Sequence, residues 1–386
     1  MKICGYKREN GTYGIRNHLA IIPTSVCSSD TAVKISNLIE GSVALPHQHG
    51  CCQIGADYRQ TLRTLIGIGS NPNVGAVLVV GLGCEGIRPE EVAEEIKKTG
   101  KIVDMITIQS CGGTLKTIET GVRIATEMAQ KLSMQIQEEF DINELTLGIE
   151  CGGSDTTSGI AANPAVGAAS DLLIENGGTS MLSETTEFIG AEHILASRAV
   201  NKRVADRIFE IVKVTEDRAM AMGEDLRGTQ PTPGNIAGGL TTIEEKSLGA
   251  IYKAGSAPIK GVLDYGECPP REKGLYIMDT PGEDIDSITG MLSGGAQIIV
   301  FTTGRGTPTG SPIAPVIKVT GNTNTYNNMM ENIDINVGRI IDEDVSIKEM
   351  GQEIFDEIVK VSRGNLTKAE ILGHREFGIF RIGFTF

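Results

Sequence analysis

LTLGIECGGSD at residues 145–155 and AVLVVGLGCEG at residues 76–86 share one pattern. Each is a short apolar run that ends in glycines, a cysteine and a glutamate. The pattern predicts a buried strand that leads into a polar loop. Since ligands of open α/β sheets bind at the carboxyl ends of strands, these thiols and carboxylates suggest a metal centre or an acid/base centre.

Strand and helix signals alternate along the first third of the chain. Apolar runs at 19–23, 42–45, 76–81 and 102–108 predict strands, with helices between them. Such alternation predicts a parallel sheet with right-handed crossovers. Because 386 residues exceed the size of one hydrophobic core, we expect an α/β protein with two domains. A smaller Rossmann-like domain is predicted over 1–140 and a larger mixed α/β catalytic domain over 141–386. Within the larger domain, strands are predicted at 179–182 and 275–278 and a single helix at 192–214.

Two less regular segments complete this organisation. The polar stretch 138–143 is predicted to mark the domain boundary, after a long helix predicted over 114–138. Residues 227–239 are rich in Pro, Gly and Thr, which predicts a loop without regular structure, either a cover over a site or a linker.

Composition excludes several classes of protein. The formal net charge of −14, with no basic cluster, argues against nucleic-acid binding. No apolar run approaches the roughly 20 residues of a membrane span, and the N-terminus lacks the apolar segment of a signal peptide. Eight cysteines without a small-domain spacing pattern fit reduced thiols. We therefore expect a cytoplasmic protein that binds neither nucleic acid nor membrane.

Sulfur and imidazole side chains lie at several predicted strand ends. His47 and Cys51 follow the strand at 42–45, while Cys84 and Cys151 follow two other strands. Imidazole and thiolate ligands together suit iron or zinc. The alternative is that these cysteines are ordinary small packing residues. We predict a metal held by these four residues, with an oxygen ligand from Glu85 or, alternatively, from Glu150.

The turn at residues 81–86 also matches the G-x-G-x-x-G pattern of dinucleotide-binding proteins. The acidic residue expected about 20 positions later should close the next strand, yet Asp104 lies inside it. A turn whose glycines serve close packing explains the pattern better, so an NAD-dependent oxidoreductase is the weaker alternative.

Further polar residues follow predicted strands or begin helices in the second domain. Hydroxyl groups and a helix N-terminus there can favour an anionic group, and the glutamates can supply oxygen ligands or a general base. The alternative is that these residues simply cap helices. An arginine in such a turn suits a substrate carboxylate, although a surface arginine is the alternative. The predicted substrate-binding residues are Ser154, Asp155, Asn163, Glu184, Asn235, Thr241, Thr242 and Arg305.

Long motifs in a fixed order resemble the large catalytic chain of the altronate/galactarate dehydratase family. They include residues 81–85, 151–155 with Asn163-Pro164, 234–249, 301–306 and 373–377. The resemblance implies a hydro-lyase acting on a sugar acid, usually with divalent iron. Family members often carry a small N-terminal domain, and we expect it here as a separate small subunit. A homo-oligomer is also expected.

Sulfolactate sulfo-lyase large subunits are close relatives within this resemblance. They tend to lack cysteines matching Cys51 and Cys84, so the presence of both favours dehydration over loss of sulfite. We predict dehydration of an altronate-like sugar acid to a 2-keto-3-deoxy acid, with Fe²⁺, or else Mn²⁺ or an iron–sulfur cluster. Arg305 and Lys246 are expected to hold the substrate carboxylate, and His193 or Lys246 to act as the base.

Overall fold

The computed structural model describes residues 1–386 and contains three β-sheets. The strands are β1 (Lys2–Lys7), β2 (Tyr13–Gly14), β3 (His18–Pro23), β4 (Ser42–Ala44), β5 (Val74–Gly81), β6 (Ile102–Thr107), β7 (Glu138–Asp141), β8 (Thr146–Cys151), β9 (Thr179–Leu182), β10 (Ile259–Leu263), β11 (Leu275–Met278), β12 (Ile298–Thr302), β13 (Val316–Thr320) and β14 (Ile335–Asn336).

Sixteen α-helices connect or flank these strands. They are α1 (Val26–Ser36), α2 (Gly55–Ser70), α3 (Pro89–Lys97), α4 (Ile108–Cys111), α5 (Thr114–Ser133), α6 (Asn163–Glu175), α7 (Glu192–Ser197), α8 (Lys202–Ala221), α9 (Leu226–Thr229), α10 (Pro233–Ala237), α11 (Ile243–Ala250), α12 (Asp284–Ser293), α13 (Thr323–Asn328), α14 (Arg339–Asp342), α15 (Ile347–Ser362) and α16 (Lys368–Leu372). No helix is both long enough and apolar enough to cross a membrane.

The first sheet has four parallel strands in the order β4-β3-β5-β6. Every residue of β5 is buried, because helices cover both faces of the sheet. Beside it, β1 pairs antiparallel with β7. The stretch predicted as a boundary thus includes a strand that holds the N-terminus.

The second sheet has seven parallel strands in the order β10-β11-β9-β8-β12-β13-β14. Strand β9 pairs with one edge of β8, and the chain later places β12 against the other edge of β8. This reversal creates a crevice at the carboxyl ends of β8 and β12, where open α/β sheets bind ligands. The predicted α/β class with parallel sheets is confirmed.

The two sheets share a core. Helix α2 of the first domain packs against α12 of the second, and 27 buried residues from both domains form one apolar cluster. Asn71 Nδ2 donates to the carbonyls of Leu292 and Ala296, both at 2.8 Å. Asn73 Nδ2 reaches Gln297 O in the same way at 2.8 Å. Buried amides therefore join the domains at fixed positions.

Two element predictions were wrong. A single helix was expected over 192–214, but the chain breaks it into α7 and α8, and Asn201 caps the second by accepting a hydrogen bond from Val204 N. Residues 227–239 were expected to lack regular structure, but most of α9 and all of α10 lie there. Pro233 begins α10, where its missing N–H costs no hydrogen bond.

Candidate active site

A buried cluster of charged and sulfur side chains lies at the carboxyl ends of β8 and β9. Cys151 is the last residue of β8, and Glu184 and Glu187 follow β9. Lys246 comes from α11, and Lys253 from the single 3₁₀ turn Ile251–Ala254 after it. The sheet edge and one helical segment thus bring three acidic or thiol groups together with two amines.

Lys253 is the counter-ion at the centre of this cluster. Its side chain is 0% exposed, and its Nζ lies 2.6 Å from Glu184 Oε2 and 2.5 Å from Glu187 Oε2. A buried charge is tolerated only when it is paired in this way. Burial alone would lower the pKa of Lys253, but the surrounding acidic groups raise it well above its ordinary value. The lysine is therefore a fixed cation.

The Cys151 thiol lies against Glu187. Its Sγ is 3.1 Å from Glu187 Oε2 and 3.2 Å from Oε1, and the Ser154 hydroxyl lies 3.6 Å away. Burial and the adjacent Glu187 carboxylate raise the pKa of the Cys151 thiol well above its ordinary value. In this structure Cys151 is a protonated donor to Glu187, not a thiolate.

Lys246 connects the cluster with solvent. Its Nζ is 3.2 Å from Glu187 Oε1, and its side chain remains 16% exposed, whereas Glu187 is 2% exposed. Burial opposes the charge of Lys246, but Glu187 raises the pKa of its ammonium group above the ordinary value. Burial alone would raise the pKa of Glu187. The two nearby ammonium groups, of Lys253 and Lys246, have the larger effect and lower that pKa to about 2. An ion pair therefore faces the opening of the crevice.

A second group of acids adjoins the first. Ligand oxygens of Glu150, Glu184 and Asp284 all lie within 4.8 Å of one another. Ser183 and Ser287 donate to Glu150 Oε2 at 2.8 Å and 2.7 Å, whereas Glu150 Oε1 is buried without any hydrogen-bond partner. Burial and the neighbouring Glu184 raise the pKa of Glu150 well above its ordinary value. A buried carboxylate that has an orphaned oxygen and lies beside two more carboxylates can hold a proton or a divalent cation.

Glu184 belongs to both groups and has an unusual backbone. Its φ of 68° and ψ of 72° place it in the left-handed region, which costs a non-glycine residue about 1–3 kcal/mol. The Thr280 hydroxyl accepts a hydrogen bond from its N–H at 2.7 Å, and Cys151 N–H donates to its Oε2 at 2.9 Å. Burial and Glu187 raise the pKa of Glu184 to about 7. Strain of this kind is typical of functional sites.

The five predicted metal ligands are not brought to one point. Among the groups with ligand atoms within 4.8 Å, only Cys151 appears, and there its neighbours are Glu184 and Glu187. His47 Nδ1 accepts from His49 N–H at 3.1 Å, so its Nε2 carries the proton and donates to Pro23 O at 2.8 Å. Both ring nitrogens of His47 are thus used by the protein.

The other members of that set lie in the first domain. Cys84 is exposed and accepts a hydrogen bond from Gln109 Nε2 at 3.3 Å, and Cys51 is half-buried. Glu85 accepts from Leu82 N–H at 2.7 Å, from Gly83 N–H at 2.6 Å and from the Thr24 hydroxyl. Its carboxylate therefore holds the turn together. These same amides would have to face a dinucleotide pyrophosphate, so the turn is not arranged for NAD.

The predicted substrate-binding residues divide into two kinds. Ser154 and Glu184 lie in the cluster, and Arg305 lies at the crevice, where its backbone N–H donates to Gly153 O at 3.1 Å. The Arg305 guanidinium is exposed and forms no ion pair. Arg305 can therefore meet a ligand in the crevice.

The remaining predicted residues maintain local structure. Asp155 accepts hydrogen bonds from Thr157 and Ser158, Asn163 bonds to Gly249 and Thr302, and Asn235 donates to Ser154 O. Thr242 caps α11, and Thr241 donates to Glu245. Most of these bonds hold the loops that carry the site.

Of the two candidate bases, the structure places only Lys246 in the cluster. His193 lies exposed on α7 and forms no hydrogen bond or ion pair through its side chain. Lys253 and Asp284 were missed in the sequence. A lysine within the apolar segment Ile251–Ala254 was the available signal for the first. Asp284 at the start of α12 looks like any acidic residue in a first helical turn.

Comparison with known proteins gives end-to-end similarity. The family model described as D-galactarate/altronate dehydratase, C-terminal, matches residues 142–385. The model described as D-galactarate dehydratase/altronate hydrolase, second domain, matches residues 5–133. The domain ranges of these models meet near β7.

Individual relatives span two activities. The chain is 41% identical to (2R)-sulfolactate sulfo-lyase subunit beta of Chromohalobacter salexigens, over 98% of this chain and 97% of the relative. It is 37% identical to altronate dehydratase of Bacillus subtilis, over 99% of this chain and 78% of the relative. It is 38% identical to galactarate dehydratase (L-threo-forming) of Escherichia coli, over 93% and 72% respectively.

Proposed function

Because the chain belongs to the D-galactarate/altronate dehydratase family of lyases, we propose that it dehydrates an altronate-like sugar acid. The product is a 2-keto-3-deoxy acid. A base removes the proton from C2, the C3–oxygen bond breaks, and the departing hydroxide is protonated to water. The resulting enol then becomes the ketone when C3 takes up a proton and the C2 hydroxyl loses one. Every sugar acid with hydroxyl groups on C2 and C3 can lose its C2 proton in the same way.

The residues at the crevice match the charges of this reaction. Arg305 is exposed and unpaired, so it can bind the substrate carboxylate through two parallel hydrogen bonds. Lys246 is the amine that reaches the opening, and we assign it the C2 proton. Glu187, whose Oε1 lies 3.2 Å away, keeps Lys246 as an ammonium group in the free site, so Lys246 first releases that proton to solvent; after taking the C2 proton it can protonate the departing hydroxide.

Lys253 and Cys151 hold Glu187 for this task. Lys253 Nζ and the Cys151 thiol both donate to the Glu187 carboxylate from buried positions. The orientation of Glu187 towards Lys246 is thereby fixed before substrate arrives, which is the form of preorganisation that lowers reaction barriers. We therefore treat Lys253 and Cys151 as positioning residues.

The carboxylates of Glu150, Glu184 and Asp284 fit a divalent cation better than the five residues predicted from sequence. Glu150 Oε1 is orphaned, and the oxygen-only donor set suits Fe²⁺ or Mn²⁺ but not an iron–sulfur cluster, which needs thiolates. A cation there would stabilise the negative charge that develops on the substrate when the C2 proton leaves. This assignment leaves Lys246 as the proton-transfer group, as in other enzymes that pair a lysine base with a metal ion.

The observation that carries the proposal is the placement of an amine–carboxylate pair beside three clustered carboxylates at the sheet reversal. The test measures keto-acid formation from altronate, galactarate and sulfolactate under anaerobic conditions, with and without Fe²⁺. We expect a 2-keto-3-deoxy acid from a sugar acid and its loss in chelator. Full activity in chelator would overturn the metal requirement.

A matched pair of variants separates the two ligand sets. Glu150→Gln should lose bound iron, measured per chain by elemental analysis, because it removes one carboxylate from the buried group. Cys84→Ser should retain it, since Cys84 is exposed in the first domain. The reverse pattern would restore the ligand set predicted from sequence.

A second candidate activity is loss of sulfite from sulfolactate. The relative named sulfolactate sulfo-lyase subunit beta is 41% identical and is covered over 97% of its length. Loss of sulfite from C3 needs the same C2 proton transfer, so the site serves both reactions. Release of sulfite without keto-acid formation from any sugar acid would select this alternative.

We also propose a separate small subunit as a partner. The support is the name of that relative, which describes one subunit of a larger enzyme. Each assay should therefore be run with the chain alone and with the product of a neighbouring small gene. Activity only in the combined sample would identify the chain as one part of a two-subunit lyase.

A further inference from the structure

A cavity of about 560 Å³ lies between the two domains, at the carboxyl ends of β10 and β11. Arg59 and Arg63 of α2 line it from the first domain, and Arg207 and Arg218 of α8 line it from the second. The buried cluster of Cys151, Glu184, Glu187, Lys246 and Lys253 is called the reacting cluster below. None of its residues lines this cavity. It is therefore a separate concave site.

Three of its four arginines have no acidic partner. Arg207 is 2.9 Å from Asp264, but Arg59, Arg63 and Arg218 form no ion pair and no side-chain hydrogen bond. Arg63 Nε is buried and unpartnered, although a buried N–H normally finds an acceptor. Gathering such guanidinium groups is electrostatically costly unless an anion accepts their hydrogen bonds.

The balance of charge sets the class of ligand. The four arginines face only two lining carboxylates, those of Asp264 and Asp279, in a chain whose formal net charge is −14. Four positive and two negative side chains leave the lining with two uncompensated positive charges. We propose that this cavity binds a small organic dianion, which is either a dicarboxylate or a phosphate monoester.

The position suggests what such a ligand would do. Its arginines come from helices of different domains, so one dianion would bridge α2 and α8. Thr186 and Thr280 also line the cavity, and the Thr280 hydroxyl accepts the N–H of Glu184. A bound dianion would therefore contact the loops that carry the reacting cluster without entering it.

Isothermal titration calorimetry tests this on the purified chain, with inorganic phosphate and malonate as probes at constant ionic strength and acetate as the monoanion. We expect at least one dianion to bind and acetate not to. Arg63→Gln and Arg218→Gln should each weaken binding about tenfold or more, because each removes a guanidinium. Arg271→Gln is the matched control, since Arg271 is exposed, unpaired and outside the cavity.

Binding by phosphate alone would identify a phosphate monoester, and binding by malonate alone a dicarboxylate. Absence of binding by both, or equal binding by Arg63→Gln, Arg218→Gln and the unchanged chain, would overturn the proposal. Lys246→Met distinguishes anion binding in this cavity from anion binding at the reacting cluster. Binding should persist in that variant; loss of binding would show that the anion binds at the reacting cluster. Circular dichroism of each variant checks that folding is unchanged.

Discussion

Lys253 is a buried charge whose burial costs free energy but which orients two glutamates of the site. Two glutamates share its ammonium group at a point from which water is excluded. Such a pair adds little stability compared with apolar residues, but its removal on one side is costly. The arrangement is therefore best explained by the need to orient Glu184 and Glu187.

We predict that Lys253→Met lowers the free energy of unfolding by about 3–5 kcal/mol, because the buried Glu184 loses its counter-ion and Glu187 keeps only Lys246. Urea denaturation measures the change. Lys260→Met is the control: Lys260 pairs with Glu272 on the surface, where an ion pair contributes about 1 kcal/mol or less. A loss no larger than that of the control would show that Lys253 is not a necessary counter-ion.

Among the loops, the turn after β12 depends on the absence of a side chain at Gly304. A Cβ atom there would lie 2.3 Å from Asp155 Cγ and 2.7 Å from Asp155 N. Both loops of the crevice therefore approach each other as closely as backbone allows. Any side chain would push the Arg305 turn away from the turn at residues 152–155.

Gly304→Ala should accordingly destabilise the protein by roughly 1–3 kcal/mol and lower kcat/KM, since the loops must separate. Denaturation and steady-state kinetics give the two values. Gly228→Ala provides the comparison, because its Cβ would meet nothing closer than 3.8 Å within α9. Equal behaviour of the two variants would contradict the importance of this close approach.

The sequence predicted the positions of strands better than it predicted which strands pair with each other. Residues 179–182 and 275–278 are strands with the predicted bounds, because short apolar runs between turn residues have few alternatives. Strand β10 was missed, since Ile259–Leu263 carries a lysine and a glycine and is only partly buried. Its pairing with β11 comes from tertiary contact, which single-sequence patterns do not contain.

The site residues, too, were predicted only where local sequence places them. Cys151, Glu184 and Lys246 were found because each follows a strand or begins a helix. The predicted convergence of Cys51, Cys84 and Cys151 did not appear, because the first domain uses its own strand ends locally, as Glu85 does. Lys253 was missed because burial beside two acids depends on how α11 packs, and no spacing rule reports that.

Across the two domains, Asn73 is the most informative contact. Its Nδ2 donates to Gln297 O at 2.8 Å and to Ile313 O at 3.0 Å, and its Oδ1 accepts from Ile15 N–H. All three bonds are buried. The shared apolar cluster and this amide predict that the domains unfold together.

Asn73→Ala should lower the free energy of unfolding by about 3 kcal/mol, because three buried backbone groups lose their partner. A single urea transition is expected before and after the change. Asn176→Ala serves as the control, since Asn176 is exposed and makes one local bond. Two separate transitions in the unchanged chain would show that the domains are independent.

The role of the amine at the opening of the crevice is tested most directly by comparing Lys246→Met with His193→Ala in the keto-acid assay. We expect Lys246→Met to lose at least about a hundredfold in kcat/KM, within the range for a lost acid/base group. His193→Ala should stay within about threefold of the unchanged chain, because His193 is exposed and unconnected to the cluster. A large loss of kcat/KM in His193→Ala with retained activity in Lys246→Met would contradict the assignment of proton transfer to Lys246.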